Sequence, residues 1–189
     1  MKKLAGFVLV AALAACGSND KAKVANVKQE PLAQSKNSAI FNEQFGKLMA
    51  DYFNLKDNFI TEKDSAIRWY AKAIITDANS LNLKELKADS SVVSTAKSYA
   101  KDISKEADEI NAEKPMTLEM KRGHFQILSD KLFDLARTVK YDNEKVYQQN
   151  CPMAFGETGA NWLSKSSDIK NPYLPKKMLT CGEVKDSLR

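Results

Sequence analysis

Residues 90–110 read SSVVSTAKSYAKDISKEADEI. Within that stretch Val93, Ala96, Ala100, Ile103, Ala107 and Ile110 recur at steps of three and four, which places them on one face of an α-helix with Lys, Asp and Glu on the other. Asp89 and Ser90 stand just ahead as cap candidates for its free amides. The alanines are small enough to let this helix approach its neighbours closely. Three further segments repeat the pattern. Phe41, Phe45, Leu48, Tyr52 and Leu55 form one stripe. Ile67, Tyr70, Ile74 and Leu81 form a second, entered through Thr61-Glu62-Lys63-Asp64 with Thr61 as its expected cap. Phe125, Leu128, Leu132, Leu135 and Val139 form the last. Connections of about five to ten residues suit antiparallel neighbours, so residues 38–140 are expected to pack as an up-and-down four-helix bundle. Every bundle helix needs such an apolar face, so the stripes are read as core. Tyr99 and the Trp69-Tyr70 pair are read as packing groups too.

The helical period disappears after Val139. Residues 141–189 hold three of the five prolines, Trp162 and two cysteines. Val146-Tyr147-Gln148-Gln149 reads as a short strand, 155–160 as a turn, and Lys177-Met178-Leu179 as a partner strand before a turn at Cys181-Gly182. The fold class is therefore mainly α, a four-helix bundle with a small irregular C-terminal lobe containing a short β-hairpin. A lobe of this size has no core of its own, and Cys151 and Cys181 are its obvious fasteners.

At the other end, Met1-Lys2-Lys3 is a cationic head, Leu4 to Leu13 is apolar, and Leu13-Ala14-Ala15-Cys16 closes the run. This has the form of a secretory signal over residues 1–15, too short to span a bilayer. Its ending resembles a bacterial lipobox, which implies cleavage before Cys16 and lipidation of that thiol. Residues 16–37 then form a polar tether with a root-mean-square reach of about 25 Å. Gly17 after the anchor, by analogy with sorting in Gram-negative bacteria, favours the outer membrane and does not itself specify a face; the expected localisation is exported, lipid-anchored at the outer membrane and facing the periplasm. Losing Lys2 and Lys3 leaves the mature chain two charges below the formal +5 of the whole. That surplus is dispersed among carboxylates with no basic stripe, so no nucleic-acid partner is expected.

The chemistry-bearing residues are sulfurs. Cys151-Pro152-Met153 and Met178-Leu179-Thr180-Cys181 present two thiols and two thioethers in mirrored order. These are the soft donors that Cu(I) and Ag(I) prefer. Taken alone, two cysteines in an oxidising compartment favour a disulfide, worth about 3.6 kcal/mol for a loop of about 30 residues on the chain-entropy relation. That reading leaves the two flanking methionines to ordinary packing, and the residues themselves leave both readings open. Zinc fits less well, since thioethers are poor ligands for it and the chain has one histidine. That residue, His124, shares a helix face with Met120 and Leu128, and can complete the site if the lobe folds back over that face. A Cys151–His124 hydrolase is not expected, because Pro152 removes the amide that follows many nucleophiles and no orienting acid stands out. Glu106, Asp108 and Glu109 are read as solvated surface charge, and no enzymatic activity is expected.

Four motifs carry a resemblance. Tyr147-Gln148-Gln149-Asn150-Cys151-Pro152-Met153-Ala154, Gly159-Ala160-Asn161-Trp162-Leu163-Ser164, Asn171-Pro172-Tyr173 and Met178-Leu179-Thr180-Cys181-Gly182 resemble an exported domain-of-unknown-function family. The family occurs alone in lipoproteins and appended to periplasmic adaptors of copper and silver efflux pumps of the resistance-nodulation-division type. His124-Phe125-Gln126-Ile127-Leu128-Ser129 is similar to the helix that precedes its lobe. Leu174-Pro175-Lys176-Lys177 departs from the small residue expected after Tyr173. The resemblance implies copper or silver handling with Cys151, Met153, Met178 and Cys181 at the sulfur positions, and an efflux adaptor as partner. The expected protein is a monomeric lipoprotein that binds Cu(I) or Ag(I) as chaperone, buffer or resistance factor. The alternative is a structural or interaction lipoprotein with a Cys151–Cys181 disulfide and no metal.

Overall fold

A computed structural model describes residues 37–188. The signal, Cys16 and the tether as far as residue 36 lie outside the described residues. Four long helices come first: α1 (Ala39–Thr61), α2 (Asp64–Ser80), α3 (Ser90–Asn111) and α4 (Leu118–Thr138). Three short strands follow, β1 (Val146–Cys151), β2 (Ala160–Ser164) and β3 (Glu183–Leu188). The chain is mainly helical with a small antiparallel sheet at its C-terminal end. No helix among the described residues is long and apolar enough to cross a membrane.

The stripes set the helix packing. All five apolar residues expected on α1 are buried, as are Ala96, Ala100, Ile103, Ala107 and Ile110 on α3 and Phe125, Leu128, Leu132 and Leu135 on α4. Successive helices pack side by side, α1 on α2, α2 on α3 and α3 on α4. Side chains close the remaining seam: Phe125 of α4 lies 4.8 Å from Phe59 and 5.4 Å from Tyr52 of α1, centroid to centroid. Helix α1 also buries Met49, Phe53 and Lys56, a wider face than its single stripe, because β2 packs against it as well.

The helix ends differ in part from expectation. Ser38 and Thr117 cap α1 and α4 by accepting from the amides of Phe41 and Met120. Thr61 does not cap α2. It is the last residue of α1, and its hydroxyl donates back to the carbonyl of Asp57. The break comes one residue later, where Glu62 adopts a left-handed conformation with φ 54°. Trp69 is 62% exposed and stacks edge-on with Tyr70, so it is a surface residue and not the packing group expected. Glu106, read as solvated, is buried between α3 and α4.

The sheet order is β2-β1-β3, with β1 antiparallel to both neighbours. The hairpin is β1–β2, with Gln149 opposite Trp162. Residues 177–179 form turns, and the strand expected there lies later, at Glu183–Leu188. The β1–β2 connection is tight because Phe155, Gly156, Glu157 and Gly159 all take positive φ, between 52° and 81°. Trp162 and Leu163 turn their bulk inward, fully buried, and the lobe shares the bundle's core. Tyr52 joins the two parts: its hydroxyl accepts from the amide of Leu163 at 2.9 Å and pairs with Ser129 at 2.7 Å.

Candidate functional site

The register of the sheet brings the two cysteines together. Asn150 on β1 stands opposite Glu183 on β3, so Cys151, the last residue of β1, meets the segment that leads into β3. The result is a thiol pair with Sγ atoms 2.9 Å apart. Cys151 is fully buried and Cys181 is half-buried. The neighbouring Cys151 thiol, through its hydrogen bond, and then burial push the Cys181 thiol above its ordinary pKa, while the main chain of Met153 beside that sulfur pulls the other way. The first effect comes from holding two thiols so close that they cannot comfortably ionise together, the second from taking a thiolate out of water.

The methionines arrive with the thiols. The Cys181 amide donates to the Met178 carbonyl at 3.0 Å, and Met153 follows Cys151 by two residues. Their side chains are 42% and 40% exposed, so neither thioether is committed to the core. His124 is placed elsewhere. Its Nδ1 lies 2.7 Å from a Glu106 carboxylate oxygen across the α3–α4 groove, and Met120 is exposed on the first turn of α4. Among the described residues no three His, Cys, Asp or Glu side chains form a group that could hold a metal ion, and His124 is not grouped with Cys151 and Cys181. What Cys151 and Cys181 offer is a close pair of soft donors and not a closed tetrahedral site of nitrogen and thiolate ligands.

Gly182 fixes how closely Cys181 approaches β1. Its φ is +142°, and a Cβ there would stand 2.7 Å from the Asn150 carbonyl oxygen and 2.9 Å from the Trp162 ring. One obstacle is backbone and the other a fully buried indole, so neither gives way cheaply. Gly182→Ala is expected to cost about 2–3 kcal/mol through overpacking, read as a lower denaturant midpoint with unchanged slope. An unchanged midpoint would mean that β1 yields.

Sequence reasoning did not find the residues that support the site. Asn171 is fully buried and ties together the segment carrying Met178 and Cys181. Arg122, itself buried, donates from Nε to the Pro172 carbonyl at 2.8 Å and from Nη2 to the Phe59 carbonyl at 3.1 Å. Glu62 pairs with Arg122 and with Lys176, and these two cations, Lys176 foremost, hold its carboxyl below the usual range. These groups line a cleft of about 290 Å³ together with Phe155 and Tyr173. On β1, Gln149 is fully buried and donates to the carbonyls of Ser166 and Asp168. The Asn-Pro-Tyr motif was the available signal; its partners 50 or more residues upstream were not visible in a linear reading.

A family model described as "Protein of unknown function (DUF3347)" matches residues 48–144. That span runs from α1 through α4 and stops just short of β1. No curated protein and no solved structure matches the chain.

Proposed function

We propose that this chain, which belongs to the DUF3347 family of proteins of unknown function, binds a soft monovalent ion, Cu(I) or Ag(I), through Cys151 and Cys181 with Met153 and Met178 as thioether donors. The observation that carries the reading is the thiol pair at 2.9 Å, flanked in sequence by Met153 two residues after Cys151 and Met178 three residues before Cys181. The donor set fits such an ion: two sulfurs that become thiolates, two half-exposed thioethers, and no third His, Cys, Asp or Glu converging among the described residues. Binding would draw protons off both thiols, so uptake releases protons and weakens as pH falls. The same two sulfurs can instead close a disulfide, which makes the reduced state the binding state.

The cellular setting follows from the leader and from the resemblance of the C-terminal motifs. In this proposal the protein is exported, lipid-anchored at Cys16 to the outer membrane on its periplasmic side, and serves as a metal chaperone, buffer or resistance factor beside a heavy-metal efflux adaptor. The competing reading, a structural or interaction lipoprotein with a Cys151–Cys181 disulfide, rests on the same short sulfur separation.

Native mass measurement separates the two. The chain carrying Cys16→Ser, reduced and supplied with Cu(I), is expected to hold one copper, and the Met153→Leu/Met178→Leu double variant is expected to hold it more weakly. A reduced protein that takes up no copper would overturn the metal reading in favour of the structural one. Unchanged affinity in the double variant would remove the thioethers from the site.

A further inference from the structure

The Asn-Pro-Tyr motif has no ligand in it, yet it sits against the thiol pair. Asn171 is fully buried and all of its side-chain polar atoms are used. Its Nδ2 donates to the carbonyl of Cys181 at 3.1 Å. Its Oδ1 accepts from the amides of Tyr173 at 2.8 Å and Leu174 at 3.1 Å. Its own amide donates to the carbonyl of Leu179 at 2.8 Å. One residue thus clamps both ends of the segment 171–181, at its start and at the cysteine itself.

That segment is otherwise made of turns, with no strand to hold it. Its outer anchors lie on the bundle and on the sheet: Arg122 of α4 holds the Pro172 carbonyl, and the Tyr173 hydroxyl donates to the Asn161 carbonyl on β2. Tyr173 packs against Phe125, Phe155 and Trp162. Through these contacts the position of Asn171 is set by the rigid part of the fold, and Asn171 transmits it to Cys181 through a single amide hydrogen bond.

We propose that Asn171 is the positioning residue of the sulfur site: its carboxamide holds Cys181 against Cys151 and so sets how readily the two sulfurs act as a pair. This deepens the metal reading by naming what preorganises the ligands. It also stands apart from that reading, because positioning applies equally to two thiols that close on each other.

The test therefore contains no metal. In the chain carrying Cys16→Ser, the two remaining thiols are equilibrated with a glutathione buffer. Each oxidation forms one Cys151–Cys181 bond, breaks the bond of one oxidised glutathione, and hands both thiol protons to two reduced glutathiones. The equilibrium constant measures the effective concentration of one thiol at the other. Asn171→Asp keeps the acceptor for Tyr173 and Leu174 but removes the donor to Cys181 and sets an oxygen against that carbonyl. We expect it to lower the constant about tenfold, the effect of one lost hydrogen bond. Ile74→Ala, buried in α2, which packs on α1 and α3, should lower the thermal midpoint and leave the constant within twofold. Asn171→Ser gives the same reading should the Asp variant fail to fold. A constant within twofold of the parent in the folded Asn171 variant, or an equal shift in Ile74→Ala, would overturn the proposal. Loss of copper binding with an unchanged glutathione constant would count against Asn171 as positioner while leaving the metal reading in place.

Discussion

Cys151→Ser is expected to lower Cu(I) affinity on the order of a thousandfold. Structural zinc sites with four ligands bind with about 10–16 kcal/mol, so each strong ligand carries about 2.5–4 kcal/mol, which is about two to three powers of ten. In a site with only two thiolates the loss should lie at the upper end, because a serine hydroxyl is a hard donor that stays protonated at neutral pH and suits Cu(I) poorly. The fold should tolerate the change. Cys151 is fully buried but stands 2.9 Å from the Cys181 sulfur, so a hydroxyl there finds a partner, and the stability cost should be about 1 kcal/mol. Competition against a chromogenic Cu(I) chelator measures the affinity, and a thermal melt of the same variant checks the fold. An affinity within tenfold of the parent, in a variant that melts normally, would place the ion somewhere other than the thiol pair. Cys181→Ser should reproduce the loss, since the two sulfurs face each other and neither has a substitute among the described residues.

The helices were legible because their signal is local. Val93 through Ile110 repeat at helical spacing whatever the helix packs on, and the same holds for the stripes beginning at Phe41 and Phe125. Boundaries and pairings were harder, for reasons visible in particular residues. Thr61 looked like a cap because Thr-Glu-Lys-Asp precedes an apolar period, yet α1 continues through it and Glu62 supplies the left-handed turn. Glu106 looked solvated because its sequence neighbours are charged; its partner His124 is 18 residues away on another helix. The strand β3 reads Glu-Val-Lys-Asp-Ser-Leu and is exposed over most of its length, so it shows no alternation to find. Lys177-Met178-Leu179 offered a better local pattern, and the competition was decided by β1, which pairs with Glu183–Leu188 instead.

The proposed sulfur site drew attention in the sequence for a different reason. Its residues announce themselves by type, and mirrored Cys and Met are uncommon enough to single out without any fold. What held them was not legible. Asn171, Arg122 and Gln149 are ordinary polar residues on paper, and only the packing of 171–174 on α4 and of 166–168 on β1 gives each its role. His124 shows the reverse case: unique in the chain, and turned toward Glu106 on α3.

The second large effect is expected at the join between bundle and lobe. The Phe125 ring lies within 6 Å of three others, those of Tyr52 and Phe59 on α1 and of Tyr173 in the segment that carries Met178 and Cys181. Phe125→Ala removes the centre of that cluster and leaves a cavity walled by rigid rings that cannot collapse into it, at a cost of about 4 kcal/mol. For a chain of this size that corresponds to a midpoint lower by about 12 °C. The manner of melting matters as much as the amount. Trp162 is fully buried in the lobe whereas Trp69 is exposed on α2, so a change in tryptophan emission reports chiefly on the lobe, while far-ultraviolet dichroism reports on the helices. Because Tyr52 and Phe125 tie the sheet to α1 and α4, the two signals should move together in parent and variant alike, as one cooperative transition. Emission that shifts well before the helical signal would mean that the lobe melts alone. A lobe able to do that could not hold Cys181 against Cys151 in advance, and in the proposed metal reading the segment 171–181 would then be ordered by the ion and not by the fold.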